Sequence, residues 1–191
     1  MYVRDAKNRE EVWLLDRIEE MDLDETAFRS RDYVIAIDEE TNEKAGFGRI
    51  RTHKTDDETV CELTSIGVLD EWRGQGVGAH VVERLVQKAS DQDFDIVYSL
   101  TDQPKYLGQF GFDRIEVDAL PEKLRDRLTE KREGVQPEAV PTRLRIEEFS
   151  VPQDRREAFK TADAEDEPEP TESPEDFGID PDDATYKYDT G

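Results

Sequence analysis

The chain contains little of what disulfide, metal or membrane proteins require. It has a single cysteine, Cys61, and two histidines, His53 and His80. One cysteine cannot form an intrachain disulfide or a cysteine zinc site, and two histidines argue against a histidine-rich metal centre. No apolar run approaches the ~20 residues that a membrane helix needs, and the first residues, MYVRDAKNREE, lack the apolar core of a signal peptide. We therefore expect a cytoplasmic protein without a metal.

Positive charge is also scarce. The 191 residues include 49 acidic and 26 basic side chains, a formal net charge of −23, and arginine outnumbers lysine. A field of this sign repels nucleic-acid phosphates and anionic membranes, so neither is expected as a partner. Acidic surfaces poor in lysine keep proteins soluble at very high salt, where ions screen the repulsion. The composition therefore indicates a salt-adapted organism, such as a halophilic archaeon.

Acidic residues and prolines are concentrated toward the C-terminal end. From Val151 onward acidic residues far outnumber basic ones, and prolines interrupt the run EDEPEPTESPEDFGIDPDD. Such a segment cannot bury enough apolar surface to offset the entropy lost on ordering. We predict one folded domain over residues 1–150 and a disordered acidic tail over residues 151–191.

The first half of the body alternates between strand and helix patterns. A short N-terminal strand precedes a helix capped by Asn8, and a second short helix is predicted over residues 24–30. Two strands, DYVIAID and KAGFGRIRTH, form a hairpin, and a third strand, TVCELTSIGVL, follows it. The helix GVGAHVVERLVQKAS comes next. Its predicted apolar stripe consists of Val77, Val81, Leu85 and Ala89.

The second half continues the alternation with shorter elements. A buried strand, IVYSL, precedes a short helix at residues 104–110, which ends near Gly111. A strand in FDRIEV, a surface helix in PEKLRDRLTEKR and a last strand at residues 142–149 complete the body. The predicted order is β-α-α-β-β-β-α-β-α-β-α-β.

A glycine-rich loop, DEWRGQGVGAH, joins the third strand of the first half to the helix after it. Gly74, Gly76 and Gly78 allow the backbone to turn sharply and to approach a ligand closely. The free N–H groups and dipole at the helix start form a phosphate or pyrophosphate site, beside which Arg73 adds positive charge. A P-loop is excluded because no Gly-Lys-Ser/Thr ends the loop, and the preceding antiparallel strands argue against a dinucleotide fold. A glycine turn that only packs the helix remains as an alternative.

The stretch ELTSIGVLDEWRGQGVGAHVVERLV resembles the acetyl-CoA motif of the GNAT superfamily of N-acyltransferases. The letters RGQGVG at 73–78 meet its Arg/Gln-x-x-Gly-x-Gly/Ala signature, and a later short helix ends in Gly111-Phe112 as in that family. The resemblance covers about residues 2–149. It implies an α+β fold with a central mixed, mostly antiparallel sheet of six to seven strands, flanked by helices and splayed into a V at the CoA site.

The resemblance implies that acetyl-CoA is the cosubstrate. The loop amides would hold its pyrophosphate, and its pantetheine arm would lie like an added strand between the strands that end near Val68 and Leu100. The N–H near Val68 would stabilise negative charge developing on the thioester oxygen. The implied cofactor-binding residues are Ile66, Gly67, Val68, Arg73, Gly74, Gln75, Gly76, Val77, Gly78 and Ala79.

The resemblance also implies two catalytic residues, Glu62 and Tyr106. An amine is mostly protonated at neutral pH, and Glu62 lies where histone-acetyltransferase-like members carry the glutamate that accepts its proton. Strand alternation places Glu62 and Ile66 on one face; a plain strand-edge acid is the alternative. Many members protonate the CoA thiolate with a tyrosine four residues before the Gly-Phe glycine. That position is Leu107 here, and Tyr106 precedes it, about 100° away around a helix.

These features predict an acyltransferase that moves an acetyl group from acetyl-CoA to a primary amine. Similarity to N-acetylglutamate-synthase-like members over SLTDQPKYLGQFGF and DALPEK favours a small, amino-acid-like acceptor. A non-catalytic acyl-CoA-binding regulatory module and a protein N-acetyltransferase remain open. Cys61 is predicted to be a buried structural thiol. An exposed strand at residues 142–149 would permit a homodimer without requiring one.

Overall fold

The computed structural model describes residues 1–163, which contain seven strands and five α-helices. The strands are β1 (Tyr2–Asp5), β2 (Tyr33–Ile37), β3 (Lys44–Lys54), β4 (Thr59–Val68), β5 (Ile96–Thr101), β6 (Asp113–Arg114) and β7 (Val140–Arg145). The helices are α1 (Glu11–Glu20), α2 (Val77–Asp91), α3 (Pro104–Gly108), α4 (Glu122–Glu133) and α5 (Gln153–Lys160). None of these helices has the length and apolar character needed to span a bilayer.

The seven strands form one sheet in the order β1-β2-β3-β4-β5-β7-β6. Neighbours are antiparallel except β4 and β5, which are parallel because α2 carries the chain back between them. This arrangement confirms the predicted mixed, mostly antiparallel sheet flanked by helices. The expectation that the last strand is exposed is wrong, since β7 pairs with β5 along its length and with β6 at Thr142 and Arg143.

A β-bulge separates β4 from its parallel neighbour. Ser65 has a φ of 54°, and β4 carries one extra residue relative to β3 at this point. The β4–β5 pairing ends at Leu63 and Ser99, beyond which the strands diverge into the predicted V. The bulge also reverses the side-chain alternation. Ile66 therefore packs under α2, on the face opposite Glu62, and the expectation that these two share a face is wrong.

The apolar residues of α2 attach it to one face of the sheet. All four residues of its predicted stripe are buried, and they pack with apolar side chains of β2, β3 and β4. Burial of each large aliphatic side chain contributes about 1.5–3 kcal/mol, which fixes the position at which α2 begins. The start of α2 is therefore held rigidly beside the end of β4.

Two predictions near the N-terminus were wrong. Asn8 does not cap α1 but lies in a short 3-10 turn, where Glu10 accepts a backbone N–H at 2.8 Å. Residues 24–29 form a loop rather than a helix, and Ser30 begins a short 3-10 turn that ends at Asp32. The buried guanidinium of Arg49 donates to two loop carbonyls at 2.7 and 2.6 Å, which draws the loop onto β3. Arg49 is thus a structural residue.

Helix α4, predicted to lie on the surface, is buried along one face. Leu124 and Leu128 pack into a small second core. Arg127 and Lys131, which share their face at helical spacing, are only 2% and 4% exposed. Charged residues dominate the sequence of α4, so its composition predicted exposure.

Helix α5 lies in the segment predicted to be disordered. Its Phe159 is half-buried and packs against α2. The prediction of disorder from residue 151 is therefore wrong for residues 151–163. The remainder of the predicted tail, 164–191, lies outside the described residues.

Candidate active site

The glycine-rich loop carries the chain from β4 into α2 through two left-handed glycines. Gly74 and Gly76 have φ values of 72° and 75°, which residues with a side chain rarely adopt. Within residues 1–163, the N–H groups of Val77, Gly78 and Ala79 meet no hydrogen-bond acceptor. These amides lie at the positive end of the α2 dipole. Together they form a site that suits an anion.

Two loop side chains predicted to bind the cofactor have partners within the protein. Arg73 is buried, and its Nη1 lies 3.2 Å from Oδ1 of Asp70. Gln75 forms two hydrogen bonds with the backbone of Asp163, at 2.7 and 2.8 Å. The loop therefore presents chiefly main-chain amides to a ligand.

A cavity of about 210 Å³ opens where β4 and β5 diverge. Ile66, Gly67 and Val68 line it, opposite the end of β5 and beside α3 and α4. Leu69 donates its N–H to the carbonyl of Ala45 on β3 at 2.9 Å. Because main-chain N–H groups alternate in direction along a strand, the N–H of Val68 points away from β3, into the gap.

Glu62 lies outside the cavity wall and is fully buried. Its carboxylate lies 2.9 Å from His53 Nε2 and 3.3 Å from both Arg127 Nε and Lys131 Nζ. Burial alone would raise the pKa of Glu62, but the Lys131 charge, the His53 hydrogen bond and the Arg127 charge lower it well below its ordinary value. A base for an amine needs a pKa near the working pH and an open face. The environment of Glu62 provides neither.

Helix α4 supplies the cations that connect Glu62 to the cavity wall. Arg127 also pairs with Asp24, where hydrogen bonds outweigh the effect of burial and bring the pKa of Asp24 to about 2. Lys131 lines the cavity and donates to Thr64 Oγ1 at 2.9 Å and to a carbonyl of β5 at 3.1 Å. Sequence reasoning missed this cluster because Glu62 and Arg127 are 65 positions apart and no motif links them.

Asp102 is a further acid on the cavity wall, immediately after the end of β5. Its carboxyl group is partly buried, and burial raises its pKa above the ordinary value. A carboxylate with a raised pKa in a cavity has the character of a proton acceptor. The sequence placed Asp102 inside the stretch SLTDQPKYLGQFGF but provided no signal for its role.

Tyr106 and Leu107 both lie on the cavity wall. Leu107 is buried, and the ring of Tyr106 packs edge-on against Phe110 with the ring centroids 5.3 Å apart. The one-residue offset noted in the sequence therefore leaves Tyr106 on the wall. Its role as an acid stays a prediction.

The remaining reactive side chains are structural. Cys61 is fully buried, and burial raises its pKa to about 12, as expected of an inert thiol. His80 packs against Phe159 with the ring centroids 3.8 Å apart. Among the described residues, no three histidine, cysteine or acidic side chains cluster in a way that would hold a metal ion.

Comparison with known proteins agrees with this geometry. The profile of the acetyltransferase (GNAT) family matches residues 2–112. An uncharacterized N-acetyltransferase of Chlorobaculum tepidum is 29% identical over 65 residues, which are 34% of this chain and 42% of that relative. The aligned region is thus less than half of the relative's length.

Solved structures share the fold. N-acetylglutamate synthase from Neisseria gonorrhoeae, complexed with coenzyme A and N-acetyl-glutamate, gives a TM-score of 0.62 at 16% identity, over 75% of this chain and 34% of that one. A Mycobacterium tuberculosis protein in complex with CoA gives 0.60 at 17% identity, over 75% and 98% of the two chains. These likenesses establish the fold, and the profile match covers more than half of the sequence. The chain belongs to the acetyltransferase (GNAT) family.

Proposed function

We propose that this protein is an acyltransferase that transfers the acetyl group of acetyl-CoA to the primary amine of a small, amino-acid-like molecule in the cytoplasm. The observation that carries the proposal is the cavity at the divergence of β4 and β5, into whose gap the N–H of Val68 points. Beside it lie the first amides of α2, which meet no acceptor within residues 1–163. Family membership supplies the reaction class.

The residues present fit CoA. The N–H groups of Val77, Gly78 and Ala79 would hold its pyrophosphate, because they lack acceptors within the described residues and lie at a helix N-terminus. Among the described residues, the edge of β4 beyond Leu63 has no strand partner on the β5 side, so its main-chain groups are available to the amides of pantetheine. When bound, acetyl-CoA supplies an activated thioester.

The N–H of Val68 stabilises negative charge on the thioester oxygen during amine attack. It is fixed in direction by the hydrogen bond of Leu69 to β3, so it needs no reorganisation. Tyr106, on the same cavity wall, is the proposed proton donor to the departing thiolate.

Asp102 accepts the proton of the attacking amine in this proposal, in place of Glu62. Asp102 lines the cavity and has a raised pKa, whereas Glu62 is enclosed by cations and has a lowered one. Glu62 instead holds Lys131 against the cavity wall.

The cavity volume of about 210 Å³ favours a small acceptor. The N-acetyl-glutamate bound to the Neisseria synthase supports an amino-acid-like molecule, although that enzyme shares only 16% identity with this chain.

The test begins with isothermal titration of acetyl-CoA into the full chain, followed by an assay of CoA thiol release with a panel of amino acids and small amines. Both are run at low and at molar potassium chloride, because the charge of −23 favours folding at high salt. Dose-dependent binding and acceptor-dependent thiol release support the proposal. A folded protein that neither binds acetyl-CoA nor releases thiol refutes it.

The Asp102→Asn variant tests the base. We expect kcat to fall on the order of 100-fold, with acetyl-CoA affinity unchanged. Because only the ionised carboxylate accepts a proton, wild-type kcat/KM should rise with pH through the raised pKa of Asp102, and the variant should lose this rise. Asp113→Asn, at an exposed position on β6, is the matched control. Unchanged kcat in Asp102→Asn would assign the proton to another acceptor.

A further inference from the structure

Helix α5 lies beyond the family match, which ends at residue 112, and packs on the glycine-rich loop. A Cβ atom on Gly76 would collide with the carbonyl oxygen of Arg155 and would lie 3.3 Å from the backbone nitrogen of Phe159. The backbone of α5 therefore touches the loop with no side chain between them. This contact helps to hold Gly76 in its left-handed conformation.

Two side chains extend this contact. The ring of His80 stacks on Phe159, with the planes 8° apart, while its Nδ1–H donates to the carbonyl of Gly76 at 2.9 Å. The side-chain amide of Gln75 donates to the carbonyl of Asp163 and accepts from the N–H of the same residue. Gly76 is therefore held by its contact with α5, and Gln75 is held by Asp163, which follows α5.

The same segment contacts the turn that follows α3, on the other side of the opening. Arg155 donates from Nε to Gln109 Oε1 at 3.2 Å, and the N–H of Ser150 donates to the carbonyl of Phe110 at 3.1 Å. Helix α2 follows β4 and helix α3 follows β5, the two strands whose divergence forms the cavity. Residues 150–163 therefore connect the start of α2 with the turn that follows α3.

We propose that α5 is part of the cofactor site and holds the glycine-rich loop so that the N–H groups of Val77 and Gly78 stay oriented for the pyrophosphate of CoA. Phe159 and Gln75 are then positioning residues for cofactor binding. This inference rests on the proposed function, because it requires CoA to bind at the loop.

Support by α5 should raise the affinity for CoA because a loop with glycine at alternate positions has many accessible backbone conformations. Glycine loses more backbone entropy on ordering than any other residue, so an unsupported loop must lose that entropy when the ligand binds. A loop already held in its binding conformation avoids this loss, and affinity rises accordingly. Helix α5 supplies that support from outside the family motif.

The test is calorimetric titration of CoA into the full chain and into point variants. Phe159→Ala removes the stacking on His80 and should weaken CoA binding about tenfold, whereas Phe159→Tyr keeps an aromatic ring there and should bind like wild type. Gln75→Ala removes both bonds to Asp163 and should weaken binding about threefold. Thr161→Ala, an exposed change next to α5, is the matched control. A thermal melt of each variant shows whether it is folded. If Phe159→Ala does not fold, the CoA affinity of Gln75→Ala tests the inference.

Pantetheine, which lacks the phosphates, separates positioning of the loop from general damage to the fold. A positioning role predicts weaker CoA binding and unchanged pantetheine binding in Phe159→Ala, measured by thermal shift at millimolar ligand. Loss of both ligands alike, or wild-type CoA affinity in both Phe159→Ala and Gln75→Ala, would overturn the inference. Tighter CoA binding in these variants would overturn it too, since α5 would then obstruct the site. Failure of wild type to bind CoA would instead refute the proposed function itself.

Discussion

Replacing Glu62 by glutamine tests whether this buried acid serves stability or proton transfer. The carboxylate is fully enclosed and contacts His53, Arg127 and Lys131. Glutamine has nearly the same shape but no charge, so two buried cations lose a counter-charge. Breaking a buried ion pair costs about 3–5 kcal/mol. Since Arg127 keeps its pair with Asp24, we expect the lower end, a loss of about 3 kcal/mol in the free energy of unfolding.

Urea unfolding at pH 7 measures this loss. The matched control is Glu58→Gln, an exposed change directly before β4, which should stay within about 0.5 kcal/mol of wild type. The pH dependence provides a second check. The folded-state pKa of Glu62 lies below its ordinary 4.5, so its contribution to stability is fully present above that value and is lost as pH falls toward the folded pKa. The difference between wild type and Glu62→Gln should therefore shrink as pH falls below about 4.5.

Two results would refute this reasoning. A Glu62→Gln variant within about 1 kcal/mol of wild type at pH 7 would mean that the enclosed charge contributes little. A variant that keeps wild-type stability but loses acetyl transfer on the order of 100-fold would restore Glu62 as the base.

Two further outcomes follow from buried positions. Gly76→Ala should lower the free energy of unfolding by about 1–3 kcal/mol, because the φ of Gly76 is 75° and the new Cβ meets the carbonyl of Arg155. In the control variant Gly108→Ala the new Cβ has open space, so this variant should melt at or above the wild-type temperature. Equal melting temperatures of the two variants would contradict the contact with Arg155. Cys61 should not react with a thiol reagent in the native protein at pH 8, because burial raises its pKa to about 12. In urea the same thiol should react stoichiometrically. Rapid labelling of the folded protein would contradict its burial.

The sheet and α2 were predictable because their signals are local. The runs of β-branched and aromatic residues in β2, β3 and β4 and the helical stripe that begins at Val77 need only neighbouring residues to be interpreted. The bulge in β4 was not predictable from the same rule. Strand alternation assumes extended backbone throughout, and the positive φ of Ser65 reverses the facing of every residue after it.

The charged cluster was hidden for a different reason. Arg127 and Lys131 belong to a helix with charged residues on every face, and burial of two of them depends on a carboxylate that is remote in sequence. Composition predicts exposure of charges on average, but a paired charge can be buried when its partner is supplied by another element. Only the fold brings Glu62 and α4 together.

The glycine-rich loop was located correctly, but its glycine at 76 has a second explanation. From the sequence, glycine at position 76 was expected to allow close approach by a ligand. The structure shows that the carbonyl of Arg155 already occupies the space that a side chain would need. The contact with α5 therefore explains why position 76 requires glycine, whether or not a cofactor binds. What supports CoA at this site is instead the gap between β4 and β5 together with the amides at the start of α2, which have no acceptor in the described part of the chain. Neither feature depends on Gly76 lacking a side chain.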